Sequence, residues 1–269
     1  MKMHADEKKL RIWKGMVEAE LERILPPAGR FPSLLHRAMR YSVLGAGKRL
    51  RPLLVFAVGD AVGVPVRKLL PVACAVELVH NFSLVHDDLP AMDDDVLRRG
   101  KPTCHKKFGE AAAILAGDAL LTLGFEVLSS AGKPGLIVSL AGAIGSEGMA
   151  GGQMEDILTQ GARMGSGKKR RIDVLKTGRL FLFCFSAPLS FATVPPVQRA
   201  AVVRLGADFG LAFQVRDDIE DAEGDRTALE RELARLTGRM RRSAAVLGSG
   251  SGPISSVIER VYGLFAGVR

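Results

Sequence analysis

Residues 80–103 read HNFSLVHDDLPAMDDDVLRRGKPT, and Asp87 and Asp88 stand at the end of an otherwise apolar segment carrying Val72, Val76, Val79, Phe82 and Val85. Steps of three, four and seven residues put Glu77, His80, Leu84, Asp87 and Asp88 on or near one face of a helix. A helix that is apolar apart from one polar face turns that face inward. Pro90 disfavours further regular helix, so Asp93 is expected to return toward Asp87 from the following turn and to converge on the same ion.

A second cluster, Asp217-Asp218-Ile219-Glu220-Asp221, follows Phe213-Gln214-Val215-Arg216. Gln214, Asp217, Asp218 and Asp221 occupy i, i+3, i+4 and i+7 and share one helical stripe. Carboxylates this close raise one another's pKa unless positive charge compensates, so the cluster implies a divalent ion or basic partners. All-oxygen ligation selects a hard ion, and Mg²⁺ takes one or two carboxylates, several waters and phosphate oxygens. A diphosphate between the clusters fits that demand. One acidic pair at a helix end is ordinary; two clusters inside apolar helices are not. Three short basic segments complete the pattern: Gly47-Lys48-Arg49-Leu50-Arg51-Pro52, Arg98-Arg99-Gly100 and Lys176-Thr177-Gly178. Arg offers a planar fork to phosphate oxygens and Lys a point charge.

Outside these motifs the periodicity is helical and strand-like alternation is scarce. Leu10, Trp13, Val17, Leu21, Ile24 and Leu25 mark an amphipathic first helix that stops at Pro26-Pro27. Further helices are predicted over about 33–44, 50–62, 68–88, 109–130, 134–160, 170–192, 196–222, 226–246 and 254–266. Segments 109–128 and 134–158 are rich in Ala, Gly and Leu around their whole circumference, which predicts helices buried in the middle of a bundle. The run 248–253 (GSGSGP) reads as a flexible link. A single all-α domain over 1–269 is the simplest architecture.

With 269 residues, 47% hydrophobic and 25% charged, the chain can bury a sizeable core. Its formal charge of +9 favours an anionic partner, but aromatics at 6% with one Trp speak against nucleic acid. Lys168-Lys169-Arg170-Arg171 accordingly reads as a solvated loop. Apolar runs such as 53–58 and 136–140 are too short to span a bilayer, and residues 1–10 are too polar for a secretory signal, so a cytoplasmic protein without stable membrane insertion is expected. Cys74, Cys104 and Cys184 are odd in number and far apart, which indicates neither disulfides nor a zinc site.

Residues 80–103, with FGEAAAILAGDALL at 108–121, resemble the first aspartate-rich region of the trans-prenyltransferase (polyprenyl synthetase) family. Lys48-Arg49-Leu50-Arg51-Pro52, Gly151-Gly152-Gln153-Met154-Glu155-Asp156, Lys176-Thr177-Gly178 and residues 213–221 match its other motifs in order, so the likeness covers about 35–221. The resemblance implies a helical bundle of the isoprenoid synthase type with a central substrate cavity. It also implies a homodimer that condenses an allylic diphosphate with isopentenyl diphosphate and releases diphosphate. On that likeness Asp87, Asp93 and Asp217 hold Mg²⁺, three ions with substrate bound, with Asp88 and Asp221 in support, and Asp218 belongs to the catalytic set. Arg98, Lys176 and Gln214 serve the allylic side, Thr177 and Gln214 face the developing carbocation, and Lys48, Arg51, His80 and Arg99 hold isopentenyl diphosphate. Phe82 and Ser83, one turn before the first aspartate, form the floor that sets product length. The aromatic at Phe82 and the two extra residues in DDLPAMD resemble bacterial farnesyl diphosphate synthases, with C10 and C20 products as alternatives.

After Asp221 the likeness fades. Gly224-Asp225 keeps the family's turn, but no lysine follows Lys176, whereas the family carries a lysine-bearing loop that closes on the allylic diphosphate. Arg226, Arg231 or Arg239 are candidate substitutes. An active synthase, a weakened subunit of a partner synthase, and a terpene cyclase are the readings this leaves; the spacing 217–221 fits the synthase.

Overall fold

The computed structural model describes residues 2–45, 47–159, 165–222 and 224–263. Its helices are α1 (Lys2–Ile24), α2 (Ser33–Val43), α3 (Leu50–Ala61), α4 (Val66–Asp87), α5 (Cys104–Phe108), α6 (Glu110–Ser129), α7 (Pro134–Ile144), α8 (Met149–Thr159), α9 (Ser166–Asp173), α10 (Arg179–Ser186), α11 (Pro196–Glu220), α12 (Arg226–Ala245) and α13 (Gly252–Tyr262). The fold is all-α. The described strands are a two-residue pair, β1 (Leu97–Arg98) antiparallel to β2 (Lys101–Pro102), too short to leave an alternation in the sequence.

The chain divides into two compact units, Arg11–Pro52 with Leu70–Gly132, and Met1–Leu10 with Leu53–Leu69 and Lys133–Arg269. In the first, α2, α5 and α6 pack together, and Gly124 of α6 lets the helix approach Val79 of α4, which a Cβ would meet at 3.0 Å. Val72, Val76 and Val79 are fully buried, as are Val17 and Leu21 on the stripe of α1 that the heptad-like spacing picks out. In the second, α10, α11, α12 and α13 pack around an aromatic cluster. Phe209 lies 5.1 Å from Phe181, 5.5 Å from Phe185 and 5.1 Å from Tyr262, ring centre to ring centre. The Tyr262 hydroxyl donates to the Phe209 carbonyl oxygen at 2.8 Å, so the ring is buried without leaving its polar end unmet. Asp225 of the surviving Gly-Asp turn caps α12, accepting from the backbone N–H of Thr227 at 3.0 Å and of Ala228 at 3.3 Å.

Several sequence expectations need correction. The helix expected over 134–160 is two helices, because Gly145 and Gly148 open the turn between α7 and α8; residue 160 lies outside the described residues. The helix expected over 170–192 is α9, a π turn (Val174–Gly178), α10 and a 3₁₀ turn (Ala187–Ser190). The basic run 168–171 is part of α9, not a loop. Nor is 248–253 a loose link: Gly248–Ser251 is a 3₁₀ turn whose Gly250 sits against Ala61, where a Cβ would be 2.9 Å from its Cα. Of the helix expected over 254–266, residues 264–266 lie outside the described residues. Burial around the whole circumference fails for α6, α7 and α8, where Ile114, Leu115, Val138, Met154 and Leu158 are exposed. Two helices, Val66–Asp87 and Glu110–Ser129, are long and apolar enough to cross a bilayer by length and composition, contrary to the reading of short apolar runs. Most of α4 is buried in protein, as a core helix would be.

Candidate active site

The first aspartate cluster is shaped by the stop that Pro90 imposes on α4. The backbone N–H of Asp93 donates to the Asp87 carbonyl oxygen at 2.9 Å, and that of Asp94 donates to Leu89 at 3.1 Å. Asp93 thus comes back to the helix end, as its place after Pro90 predicts. Asp88 is 3% exposed and accepts from Arg98 Nε at 2.5 Å, while Arg98 Nη2 reaches Asp95 at 2.9 Å. Burial pushes the Asp88 carboxyl up and Arg98 opposes it. Arg98 and Arg99 are delivered by the β1–β2 hairpin, whose turn puts Arg99 at φ 53° and Gly100 at φ 75°, the positive pair that a tight hairpin needs.

The basic segments of this unit meet there. Arg51 Nη1 lies 3.2 Å from His80 Nε2. Burial lowers the His80 pKa well below 6.5, and the nearby Arg51, Arg99, Arg98 and Arg49 add to it. Arg99 is itself pulled down, by burial first and by repulsion from Arg49 and Arg98, with Glu77 opposing. Lys48 is exposed. Arg49, assigned no role by the sequence, turns inward: Nη1 donates to Glu77 at 2.7 Å and Nη2 to the carbonyls of Val43 and Gly45 at 2.9 and 3.0 Å. This anchor fixes the chain between Lys48 and Arg51. Phe82, half-buried, meets His86 edge-on at 5.0 Å, and Ser83 bonds the His80 carbonyl at 2.9 Å.

The second cluster lies in the other unit, at the end of α11. Asp217 accepts from Arg216 Nη2 at 2.9 Å and Asp218 from Lys169 Nζ at 3.0 Å. Asp221 is exposed and returns its N–H to Asp217 at 2.9 Å. Burial raises the Asp217 carboxyl and Arg216 opposes it. Gln214 is half-buried on the same stripe. Nearby Asp173 is pushed up to about 6, by burial first and by Asp218 next. Lys176 and Thr177 occupy the π turn, a distortion that tends to mark functional sites. Its neighbours explain it: a Cβ on Gly152 of α8 would be 2.3 Å from the Lys176 nitrogen, and one on Gly210 of α11 2.7 Å from the Gly178 Cα. Only glycines allow backbones that close, so Gly152 of the GGQMED motif and Gly210 clamp the turn. Lys176 Nζ bonds Asp156 at 2.6 Å.

Among the described residues no three His, Cys, Asp or Glu side chains gather tightly enough to hold a metal by themselves. The donor set nevertheless suits Mg²⁺, which needs few protein oxygens when phosphate and water supply the rest. Arg98, Arg216 and Lys169 meanwhile balance Asp88, Asp217 and Asp218. Of the suggested substitute donors, Arg239 pairs with Asp208 at 2.7 Å and Arg226 with Glu230 at 2.9 Å. Arg231 is exposed. Sequence reasoning missed Lys169 and Asp156; GGQMED signalled the latter, whereas Lys169 was hidden in a run that looked solvated. All four non-glycine residues with positive φ among those described, Arg49, Asp94, Arg99 and Ala222, adjoin site segments, which is where backbone strain accumulates.

The polyprenyl synthetase family model matches residues 32–235. The chain is 44% identical over 201 residues to a farnesyl diphosphate synthase of Bacillus subtilis, covering 72% of this chain and 68% of that protein. It is 45% identical over 222 residues to the farnesyl diphosphate synthase of Escherichia coli, covering 78% and 73%. The crystal structure of a geranyltransferase from Legionella pneumophila superposes with a TM-score of 0.91 at 33% identity, over 98% of this chain and 99% of that one. The chain belongs to the polyprenyl synthetase family.

Proposed function

We propose that this member of the polyprenyl synthetase family is a prenyltransferase that condenses isopentenyl diphosphate head to tail with dimethylallyl or geranyl diphosphate to give farnesyl diphosphate. The observation that carries the reading is geometric: Arg51 lies 3.2 Å from His80, and Arg98 and Arg99 line a cavity with Asp88, a cationic surround that suits a diphosphate. Likeness to farnesyl diphosphate synthases over most of the chain supports the product.

Breaking the allylic C–O bond leaves the electron pair on the departing diphosphate and a carbocation behind. Asp87, Asp93 and Asp217 would hold Mg²⁺, with Asp88 and Asp221 in support, and the ion would supply Lewis-acid stabilisation of the leaving group. Arg98 and Lys176 donate to the departing oxygens, exchanging Asp88 and Asp156 for phosphate. Lys48, Arg51, His80 and Arg99 hold isopentenyl diphosphate, so that its double bond attacks as if intramolecularly. Thr177 and Gln214 face the developing cation. A diphosphate oxygen then takes the proton, and no protein nucleophile is used.

The chain acts as a homodimer in this reading, supported by the exposed apolar residues Ile114 and Leu115 of α6, which self-association would cover. Buried thiols at Cys74, Cys104 and Cys184 support a reducing, cytoplasmic setting.

The purified chain alone, given Mg²⁺, isopentenyl diphosphate and geranyl diphosphate, is expected to release one inorganic diphosphate per isopentenyl unit consumed. The missing lysine after Lys176 favours one second reading, a regulatory subunit. Turnover only after addition of a partner synthase selects that reading, and release from geranyl diphosphate without isopentenyl diphosphate selects a cyclase.

A further inference from the structure

The surplus of positive charge is not confined to the residues assigned to the reaction. Asp208 of α11 is 2% exposed and its carboxylate is held by Arg239 of α12 at 2.7 Å. Beside it opens a cavity of about 290 Å³ lined by Arg204, Asp208, Arg239, Arg242, Ser243 and Val246. Three guanidiniums therefore face one carboxylate, and Arg239 already takes it. Arg204 and Arg242 are exposed and form no hydrogen bond or salt bridge among the described residues.

Two uncommitted planar forks and a hydroxyl converging on a cavity are what a phosphate group needs: several oxygens bridged by charged donors, with Val246 closing one side. Asp208 fixes Arg239 from below, so that guanidinium is positioned without losing all its donors. Along α11 the cavity stands about 13 Å from Asp217 by the rise of the helix, beyond direct contact with the second cluster. We propose that Arg204, Arg239, Arg242 and Ser243 form an anion site for a phosphate or diphosphate group that takes no part in the condensation. The group comes either as the free anion, including the diphosphate that the reaction proposed above releases, or as a lipid headgroup.

The test compares the full chain with Arg204→Gln/Arg242→Gln, which leaves the Arg239–Asp208 pair and removes only exposed side chains. Calorimetric titration with inorganic diphosphate in EDTA is expected to give two classes of site in the native chain. The variant loses one class, its affinity falling by about tenfold or more, with an unchanged melting temperature and an unchanged initial rate at saturating substrates. Sedimentation with phosphatidylcholine vesicles, with and without phosphatidic acid, identifies the source: retention on the acidic vesicles that the variant loses assigns the headgroup. Isotherms and sedimentation identical for the two proteins would overturn the proposal. Loss of the initial rate in the well-folded variant would also overturn it, by placing these arginines in the condensation; Arg204→Lys/Arg242→Lys, restoring charge without the forks, then reports whether bidentate recognition is involved.

Discussion

The backbone N–H of Asp93 is bonded to the carbonyl oxygen of Asp87 at 2.9 Å, so the outer aspartates of the first cluster are held by one closed loop rather than by chance proximity. Their side chains, not this bond, carry the proposed metal. Asp87→Asn and Asp93→Asn should each keep the loop and the melting temperature while lowering kcat by roughly 10²–10³, in the range of removing one transition-state electrostatic contact. Steady-state rates and circular dichroism check both halves.

Gly152→Ala tests the clamp on the π turn. Its Cβ would sit 2.3 Å from the Lys176 nitrogen and 2.9 Å from the Leu175 carbonyl carbon, backbone atoms with no flexible side chain to give way. Overpacking of this kind costs about 1–3 kcal/mol. A lower urea midpoint is expected together with a raised KM for the allylic substrate, because Lys176 and Thr177 ride on the displaced turn.

Arg49 and Glu77 are both at most 3% exposed and bonded at 2.7 Å. Replacing Arg49 by Met leaves a buried carboxylate without its partner, which should cost about 3–5 kcal/mol. The double variant Arg49→Met/Glu77→Met should recover much of that loss, as measured by denaturant unfolding. Recovered stability with KM for isopentenyl diphosphate still raised would show that Arg49 positions Lys48 and Arg51.

His80 gives the stability a pH dependence of known sign. Its folded pKa lies below the unfolded value of 6.5, chiefly through burial and then through the surrounding arginines. Well above pH 6.5 neither state is protonated and the full stability is present. As pH falls below 6.5 the unfolded chain takes up a proton the folded one refuses, so stability declines toward the folded pKa, by at most about 1.4 kcal/mol per pH unit. Unfolding between pH 7.5 and 5 should show that slope reduced in His80→Asn.

Much of this was legible because the relevant signals are local. The stop at Pro90, the return of Asp93 to the end of α4 and the Asp225 cap of α12 each act within a few residues, and each forms as its local sequence requires. What the sequence hid depends on partners distant along the chain. Arg49 looks like its neighbours Lys48 and Arg51 until Glu77 turns it inward. The π turn at 174–178 exists because Gly152 and Gly210 approach it from other helices, which no periodicity within 170–192 reports. Lys169 reads as solvated until Asp218 is beside it. The apolar circumference of α6 predicts burial, yet Ile114 and Leu115 are exposed, because composition records that a face is apolar and not what packs against it.

The proposed farnesyl product is tested most directly by the length of the chain it makes. Labelled isopentenyl diphosphate, geranyl diphosphate and Mg²⁺ are incubated with the purified protein, and the dephosphorylated products are sized by chromatography. The native protein, in which the Phe82 ring meets His86 at 5.0 Å one turn before Asp87, is expected to give a C15 alcohol, and Phe82→Ala longer products. C20 as the native product, or a Phe82→Ala profile identical to the native one, would contradict the proposal.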